Sequence, residues 1–314
     1  MKLKKPKFWD YKKPSLLSYI LFPLSKLFEF ISLIKIKKKK NFENIKCICI
    51  GNIYLGGTGK TSLAIEIKKI LDKKNIKSCF IKKNYPDQID EQILLSKFGK
   101  TFIHSSRIEA LKKAILDKYE IAIFDDGLQD KSISYDLSFV CFNKKNLIGN
   151  GYLIPAGPLR ENLKSLNRYK NIFLNGTNEN RENFKIKLLK KFPDLNFYET
   201  NYKLLNLDEF NINDNFVVFS GIGNHSTFLN MLIENKFKVI KDIEFPDHYN
   251  YSSRDVEKIY KIAKKNNSKI LTTEKDFVRL KNEDKKNIKF TKISLEIIEI
   301  EKLKEKLKIK NEVN

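Results

Sequence analysis

The sequence predicts an α/β fold with a mostly parallel sheet and flanking helices, and three observations carry that prediction. Apolar runs at 45–50, 120–124 and 216–219 alternate with segments whose apolar residues recur at helical spacing. A glycine-rich stretch joins the first run to a helical segment. The second run ends in the acidic pair Asp125-Asp126. In sheets of this kind ligands bind beyond the carboxyl ends of strands, where both features lie.

The glycine stretch reads Gly51-Asn52-Ile53-Tyr54-Leu55-Gly56-Gly57-Thr58-Gly59-Lys60-Thr61. Strand, glycine turn and helix in that order make a phosphate cradle. Backbone N–H groups from Gly56, Gly57, Thr58 and Gly59 would converge on phosphate oxygens. Lys60 would reach the β- and γ-phosphates, and the Thr61 hydroxyl would sit on Mg²⁺. The stretch therefore points to a P-loop NTPase-like core that binds a nucleoside triphosphate. The strict pattern would put its first glycine where Tyr54 stands, so the loop is a variant.

The remaining elements follow in order. Residues 77–82 read as a strand, followed by a polar loop through Tyr85-Pro86-Asp87, with Asp90 and Glu91 just before the apolar run 93–95. A short strand at 101–104 and an amphipathic helix over 107–119 precede the strand that ends in Asp125-Asp126. A carboxylate there would hold Mg²⁺ opposite Thr61, as a Walker B element does; the competing reading is an Asp126-Gly127 turn. After a strand at 136–142, residues 150–161 form a Gly/Pro-punctuated loop carrying Arg160-Glu161. Arg160 either stabilises charge on a transferred phosphoryl group or makes a surface salt bridge.

Beyond 165 the texture changes. A strand at 170–174 leads into an Asn/Lys/Glu-rich stretch of low complexity. Strands at 216–219, 238–245 and 269–273, with helices from Ser226 and over 253–265, predict a second, smaller α/β domain. The expected division is 1–40 for an N-terminal helix and basic run, 41–185 for the core and 186–314 for the second domain, with the boundary between 165 and 205. His248 follows Asp247 in a loop, where it is either a tuned proton acceptor or a structural histidine.

Residues 15–36 are the most apolar segment, but Pro23, Lys26 and Glu29 interrupt it. Two charges at a bilayer centre cost roughly 2–4 kcal/mol each, so a helix lying in the interface is favoured over one that spans. Lys37-Lys38-Lys39-Lys40 would attract an anionic membrane surface. A helix packed on the protein's own core is the alternative.

The chain has 314 residues, with 61 basic against 38 acidic side chains and a net charge of +23. Either an anionic partner or lysine-rich compositional drift explains that excess. Sparse arginine and the absence of a reading module argue against specific nucleic-acid binding. The four cysteines lie in apolar strand-like runs and read as buried, reduced thiols. Nothing in the sequence sets an oligomeric state.

Taken together, the segments resemble the tetraacyldisaccharide 4′-kinase (lipid A 4′-kinase) family. The likeness runs in order from Phe8-Trp9 through the Tyr54-bearing loop, Asp125-Asp126-Gly127-Leu128-Gln129 and the loop 149–161. It continues through Gly221-Ile222-Gly223-Asn224, Phe245-Pro246-Asp247-His248 and Leu271-Thr272-Thr273-Glu274-Lys275-Asp276. The resemblance implies ATP- and Mg²⁺-dependent phosphorylation of the 4′-hydroxyl of a lipid-anchored glucosamine disaccharide 1-phosphate. It also implies a place on the cytoplasmic face of the inner membrane, by a monotopic or single N-terminal helix. By the same resemblance Asp90 is the base toward the sugar hydroxyl, coupled to His248, with Lys60 and Arg160 at the phosphates. Gln129 falls at the nucleotide site, and Glu91, Arg107, Asn150 and Glu161 on the substrate side. Thr61, Asp125 and Asp126 would hold the metal. The chain departs from the pattern at Lys83-Asn84-Tyr85, Ile89 and Asp130. The alternative function is a membrane-associated nucleotide-binding switch, for which Lys275-Asp276 is the only cue.

Overall fold

The computed structural model describes residues 5–34, 39–176, 181–211 and 213–308. Helix α1 (Leu16–Ile34) precedes strand β1 (Lys46–Gly51), α2 (Lys60–Asp72), β2 (Ser78–Lys83), α3 (Ile89–Phe98) and β3 (Thr101–His104). Then come α4 (Arg107–Leu116), β4 (Ile121–Asp125), β5 (Leu137–Asn143), the short α5 (Leu166–Tyr169), β6 (Asn171–Asn175), α6 (Glu182–Leu189) and β7 (Asn196–Leu204). The last part holds β8 (Asn215–Ser220), α7 (His225–Glu234), β9 (Lys238–Glu244), α8 (Ser253–Lys265) and β10 (Lys269–Thr273). It closes with α9 (Glu274–Arg279), β11 (Ile288–Thr291), β12 (Ile293–Ile297) and α10 (Ile300–Lys306).

Two compact units result. The larger comprises Lys5–Tyr85, Leu95–Asn201 and the segment from Leu295 onward. Its sheet has the order β12-β7-β6-β5-β1-β4-β2-β3. β1 lies between β4 and β5 and pairs in parallel with both. Both faces of β1 are covered. Cys47 and Cys49 join Ala110, Leu111 and Ala114 of α4 in one core cluster, while Ile48 and Ile50 on the opposite face are also fully buried. Covered on both faces, such a strand reads as an unbroken apolar run rather than an alternating one. All four cysteines are free and buried, and burial pushes the Cys47, Cys79 and Cys141 thiols up to about 12.

β7 and β12 lie at the opposite end of this sheet from β3, although the Asn/Lys/Glu-rich stretch around β7 carries no clear strand pattern. The reason is partial burial. β7 buries only scattered residues along its length, so its sequence tolerates Asn, Glu and Lys.

α1 inverts the usual helix pattern. Among its described side chains the buried ones are Ser18 and Ser25, whereas Leu16, Ile20, Leu24, Leu27 and Phe30 are exposed. The Ser25 hydroxyl donates to Leu153 O at 2.8 Å and accepts from Ala156 N at 3.0 Å. Lys26 and Glu29 pair with each other at 2.9 Å. Among the described residues no helix is long and apolar enough to cross a membrane. Residues 35–38, including Lys37 and Lys38 of the basic run, lie outside the described residues.

The smaller unit comprises Pro86–Leu94 and Tyr202–Ser294. Its sheet, β11-β10-β8-β9, is parallel at every pairing. Val217 and Phe219 of β8 pack with Val256, Ile259 and Ala263 of α8 on one face. Phe216 and Val218 pack with Phe228, Met231 and Leu232 of α7 on the other. α8 is held at its start by a capping box of Ser252 and Asp255.

Candidate active site

The glycine loop of the larger unit leaves β1 and enters α2 through Gly59. That residue sits in the left-handed region at φ 80°, which a side chain would strain. Polar side chains brace the loop from below. The Asn52 amide donates to Gly56 O at 3.2 Å and to Thr58 Oγ1 at 3.0 Å. From the end of β6 the Asn175 amide donates to Thr58 O at 2.7 Å, and Thr200 holds Asn175 in turn at 2.8 Å.

Tyr54 explains why the loop lacks its usual first glycine. Its ring is buried with Leu153 and Leu159, and its hydroxyl donates to Asp10. Position 54 is therefore a packing position that ties the glycine loop to the loop at 150–161. Two backbone bonds complete the tie, Leu55 N to Pro158 O at 2.8 Å and Arg160 N to Ile53 O at 2.7 Å. Gly157 permits the fold of this second loop, because an added Cβ would come within 2.1 Å of Asn150 Oδ1. Arg160 is delivered beside the phosphate cradle by these contacts.

The acidic pair divides its work. Asp125 is fully buried; its Oδ2 accepts from Thr61 Oγ1 at 3.2 Å and from Lys82 Nζ at 2.8 Å. Its Oδ1 is buried with no hydrogen-bond partner. Asp126 accepts from Arg160 Nη1 at 3.0 Å, and Lys60 Nζ lies 3.9 Å from the same oxygen. Asp126 itself has φ 59°, so the strand stops there and the two carboxylates diverge. Arg107, almost wholly buried, donates to Asp126 O at 2.6 Å and pairs with Asp130 at 3.3 Å. Asp130, a departure from the family pattern, thus supplies a counter-charge for Arg107.

Gln129 donates to Asn52 O at 2.9 Å and to Glu161 at 3.0 Å, while its carbonyl accepts from Arg160 at 3.2 Å. Glu161 also accepts from Arg168 and from the Tyr169 hydroxyl. The Asn150 amide is committed to Ser18 at 3.0 Å and Ala156 O at 2.9 Å, which fastens α1 to the Arg160 loop.

In the smaller unit a second group forms around Asp90, in the first turn of α3. Its Oδ1 lies 3.1 Å from His248 Nδ1, and its Oδ2 accepts from Arg279 Nη2 at 2.6 Å. Glu91 pairs with Lys275 at 2.8 Å. Burial alone would raise the Asp90 carboxyl. The His248 hydrogen bond and the charges of Lys275 and Arg279 outweigh burial and hold it at about 2. His248 adopts φ 53°, and its N–H bonds to Gly221 O at 3.0 Å.

Asp276 is the hub beneath. It accepts from Gly221 N at 2.9 Å, the Tyr251 hydroxyl at 2.7 Å, Thr273 Oγ1 at 2.6 Å and Arg279 Nη1 at 2.9 Å. Burial raises its carboxyl despite Arg279. Thr273 and Asp276 of the polar run 272–276 are thereby a buried platform for Arg279 and the His248 loop.

Sequence reasoning missed Asn52, Lys82, Asn175 and Arg279. Lys82 carries one signal, a lysine directly after the apolar run 79–81; Arg279 carries none, because its partner Asp90 is 189 positions away.

Among the described residues no group of three or more His, Cys, Asp or Glu could hold a metal ion. Thr61 and the unpartnered Asp125 Oδ1 nonetheless fit Mg²⁺, which takes one or two protein ligands and completes its shell with phosphates and water.

Comparison with known proteins places this geometry. The family model described as tetraacyldisaccharide-1-P 4′-kinase matches residues 17–312. A tetraacyldisaccharide 4′-kinase of Pelagibacter ubique is 54% identical over 314 residues, covering 100% of both chains. That of Rickettsia typhi is 33% identical over 299 residues, covering 89% of this chain and 90% of the relative. The crystal structure of LpxK from Aquifex aeolicus in complex with ATP superposes with a TM-score of 0.68 at 25% identity, covering 93% of this chain and 99% of that one. The chain belongs to the tetraacyldisaccharide-1-P 4′-kinase family.

Proposed function

We propose that this chain transfers the γ-phosphoryl group of ATP to the 4′-hydroxyl of tetraacyldisaccharide 1-phosphate, a step of lipid A biosynthesis. It is a phosphotransferase with an alcohol acceptor. The observation that carries the reading is the constellation at the glycine loop. Thr61 touches Asp125 at 3.2 Å, Lys60 lies 3.9 Å from Asp126, and Arg160 binds Asp126 at 3.0 Å. These are the parts that phosphoryl transfer needs, since its catalysis is mostly positioning and charge neutralisation.

The N–H groups of Gly56, Gly57, Thr58 and Gly59 cradle the phosphates, and Lys60 binds the β- and γ-oxygens. Arg160 exchanges Asp126 for the γ-phosphoryl oxygens as negative charge spreads over them. Thr61 and Asp125 would hold Mg²⁺, which would supply neutralisation of the phosphates' negative charge. Asp126 gathers Lys60 and Arg160 at one carboxylate oxygen beside the glycine loop. On the acceptor side Asp90 takes the hydroxyl proton, with His248 at its Oδ1 and Arg279 fixing its Oδ2. Glu91 and Lys275 form the adjoining substrate surface, while Gln129 and Glu161 steady Arg160.

The test is phosphoryl transfer from γ-labelled ATP to tetraacyldisaccharide 1-phosphate in detergent micelles with Mg²⁺. A labelled bis-phosphorylated lipid is the expected product. ATP binding without product would favour a nucleotide switch.

The substrate is a lipid, and α1 offers the means of meeting it. Its serine face is consumed by the loop at 150–161, so its leucine and phenylalanine face is left to an apolar phase. This exposed face supports our reading of a protein held on the cytoplasmic face of the inner membrane by a helix lying in the interface. Replacing Leu16, Ile20 and Leu27 together by serine should release the chain from anionic vesicles in a flotation assay. Undiminished flotation would remove α1 from membrane binding.

A further inference from the structure

We propose that Lys82 is a positioning residue of the metal site, its ammonium holding Asp125 so that a divalent cation enters only together with the nucleotide's phosphates. The inference rests on the reading that Thr61 and Asp125 hold Mg²⁺.

Pairing of Ile81 with Phe124 brings the next residues, Lys82 and Asp125, side by side, one residue before the end of β2 and at the end of β4. Both side chains are buried, at 1% and 0% exposure, and Nζ lies 2.8 Å from Oδ2. A lysine is seldom kept fully buried unless it is paired, because its desolvation is costly. Here the pairing falls on the carboxylate oxygen that also meets Thr61, and it leaves Oδ1 without a partner. Without Lys82 a buried carboxylate beside a threonine hydroxyl would attract cations into the empty loop. The ammonium removes that attraction and repels a divalent ion at close range. Triphosphate oxygens at Lys60 and Arg160 add the negative charge that restores it. Oδ1 is left free to meet the ion or a water on it, and Oδ2 stays fixed. Lys82 thus sets the orientation of Asp125 and the order of arrival, and does not itself touch the reacting atoms.

The experiment uses the full chain with Lys82→Met, which keeps the stem and removes the charge. Without nucleotide, Mn²⁺ binding is read by electron paramagnetic resonance and the melting temperature is followed across Mg²⁺ concentrations. Lys82→Met is expected to bind Mn²⁺ at least about ten-fold more tightly than the unaltered chain, since a like charge has been removed at contact range. Its melting temperature should climb with Mg²⁺ while that of the unaltered chain stays level. Lys82→Met with Asp125→Asn removes both charges, and should recover stability and lose the Mg²⁺ response.

Equal Mn²⁺ binding by Lys82→Met and the unaltered chain would overturn the proposal. So would a single variant that stays unfolded even in Mg²⁺. The underlying metal assignment is read separately, from Mn²⁺–ATP affinity of Asp125→Asn. A variant that binds Mn²⁺–ATP as well as the unaltered chain would mean that Asp125 is not the metal's carboxylate, whatever Lys82 does.

Discussion

Asp90→Ala is expected to lower turnover by about 10²–10⁴-fold, the range for loss of a positioned proton acceptor, while ATP affinity stays unchanged. The geometry makes this a clean substitution. Arg279 keeps Asp276 and the Gly221 carbonyl when Asp90 is removed, so its guanidinium is not left unpaired. His248 keeps its backbone bond to Gly221. Steady-state rates and calorimetric ATP binding decide the matter, and unchanged turnover would remove Asp90 from the mechanism. Stability gives a second reading. The carboxyl is depressed from 3.8 to about 2 in the folded protein, so its ionised form contributes stability that is complete above 3.8. That contribution is lost as pH falls through about 2. The stability gap between the unaltered chain and Asp90→Ala should therefore narrow between those two values, as measured by denaturant unfolding.

Lys60→Ala is expected to damage both binding and rate, the rate by about 10²–10³-fold, as for loss of one preorganised charge at a developing anion. Lys60 would bind the triphosphate in the ground state and bind it more strongly as charge develops in the transition state, so both the affinity for ATP and kcat should fall. Folding should survive, because Asp126 keeps Arg160 at 3.0 Å once Lys60 is gone. Calorimetry with ATP beside the lipid phosphorylation assay checks both quantities. A variant indifferent in both would sink the phosphate-loop assignment.

Much of the larger unit was legible from its residues. The strands that bury both faces, β1, β4 and β6, are short unbroken apolar runs, and those runs appear where expected. The glycine loop was legible because its chemistry lies in consecutive residues. β7, β11 and β12 were not read as strands. Each is partly exposed, so charged and polar residues dilute the apolar signal. The membership of β7 and β12 in the larger sheet is a matter of pairing over long separations, which local pattern does not encode. Asp90 belongs to the same compact unit as residues 202–294 through bonds to His248 and Arg279, at separations of 158 and 189 positions.

By itself the sequence determined the phosphate cradle, the acidic strand end, the parallel α/β class and the family resemblance, because each rests on short-range spacing or ordered motifs. Tertiary structure decided what each charged group faces. Lys82 is an unremarkable lysine near a strand end until β2 lies against β4 and its ammonium meets Asp125. Tyr54 breaks a glycine pattern until its ring is seen filling the space between Leu153 and Leu159. The physical reason is common to both. Backbone conformation follows from neighbours in the chain, whereas the energy of a buried charge or ring follows from neighbours in space.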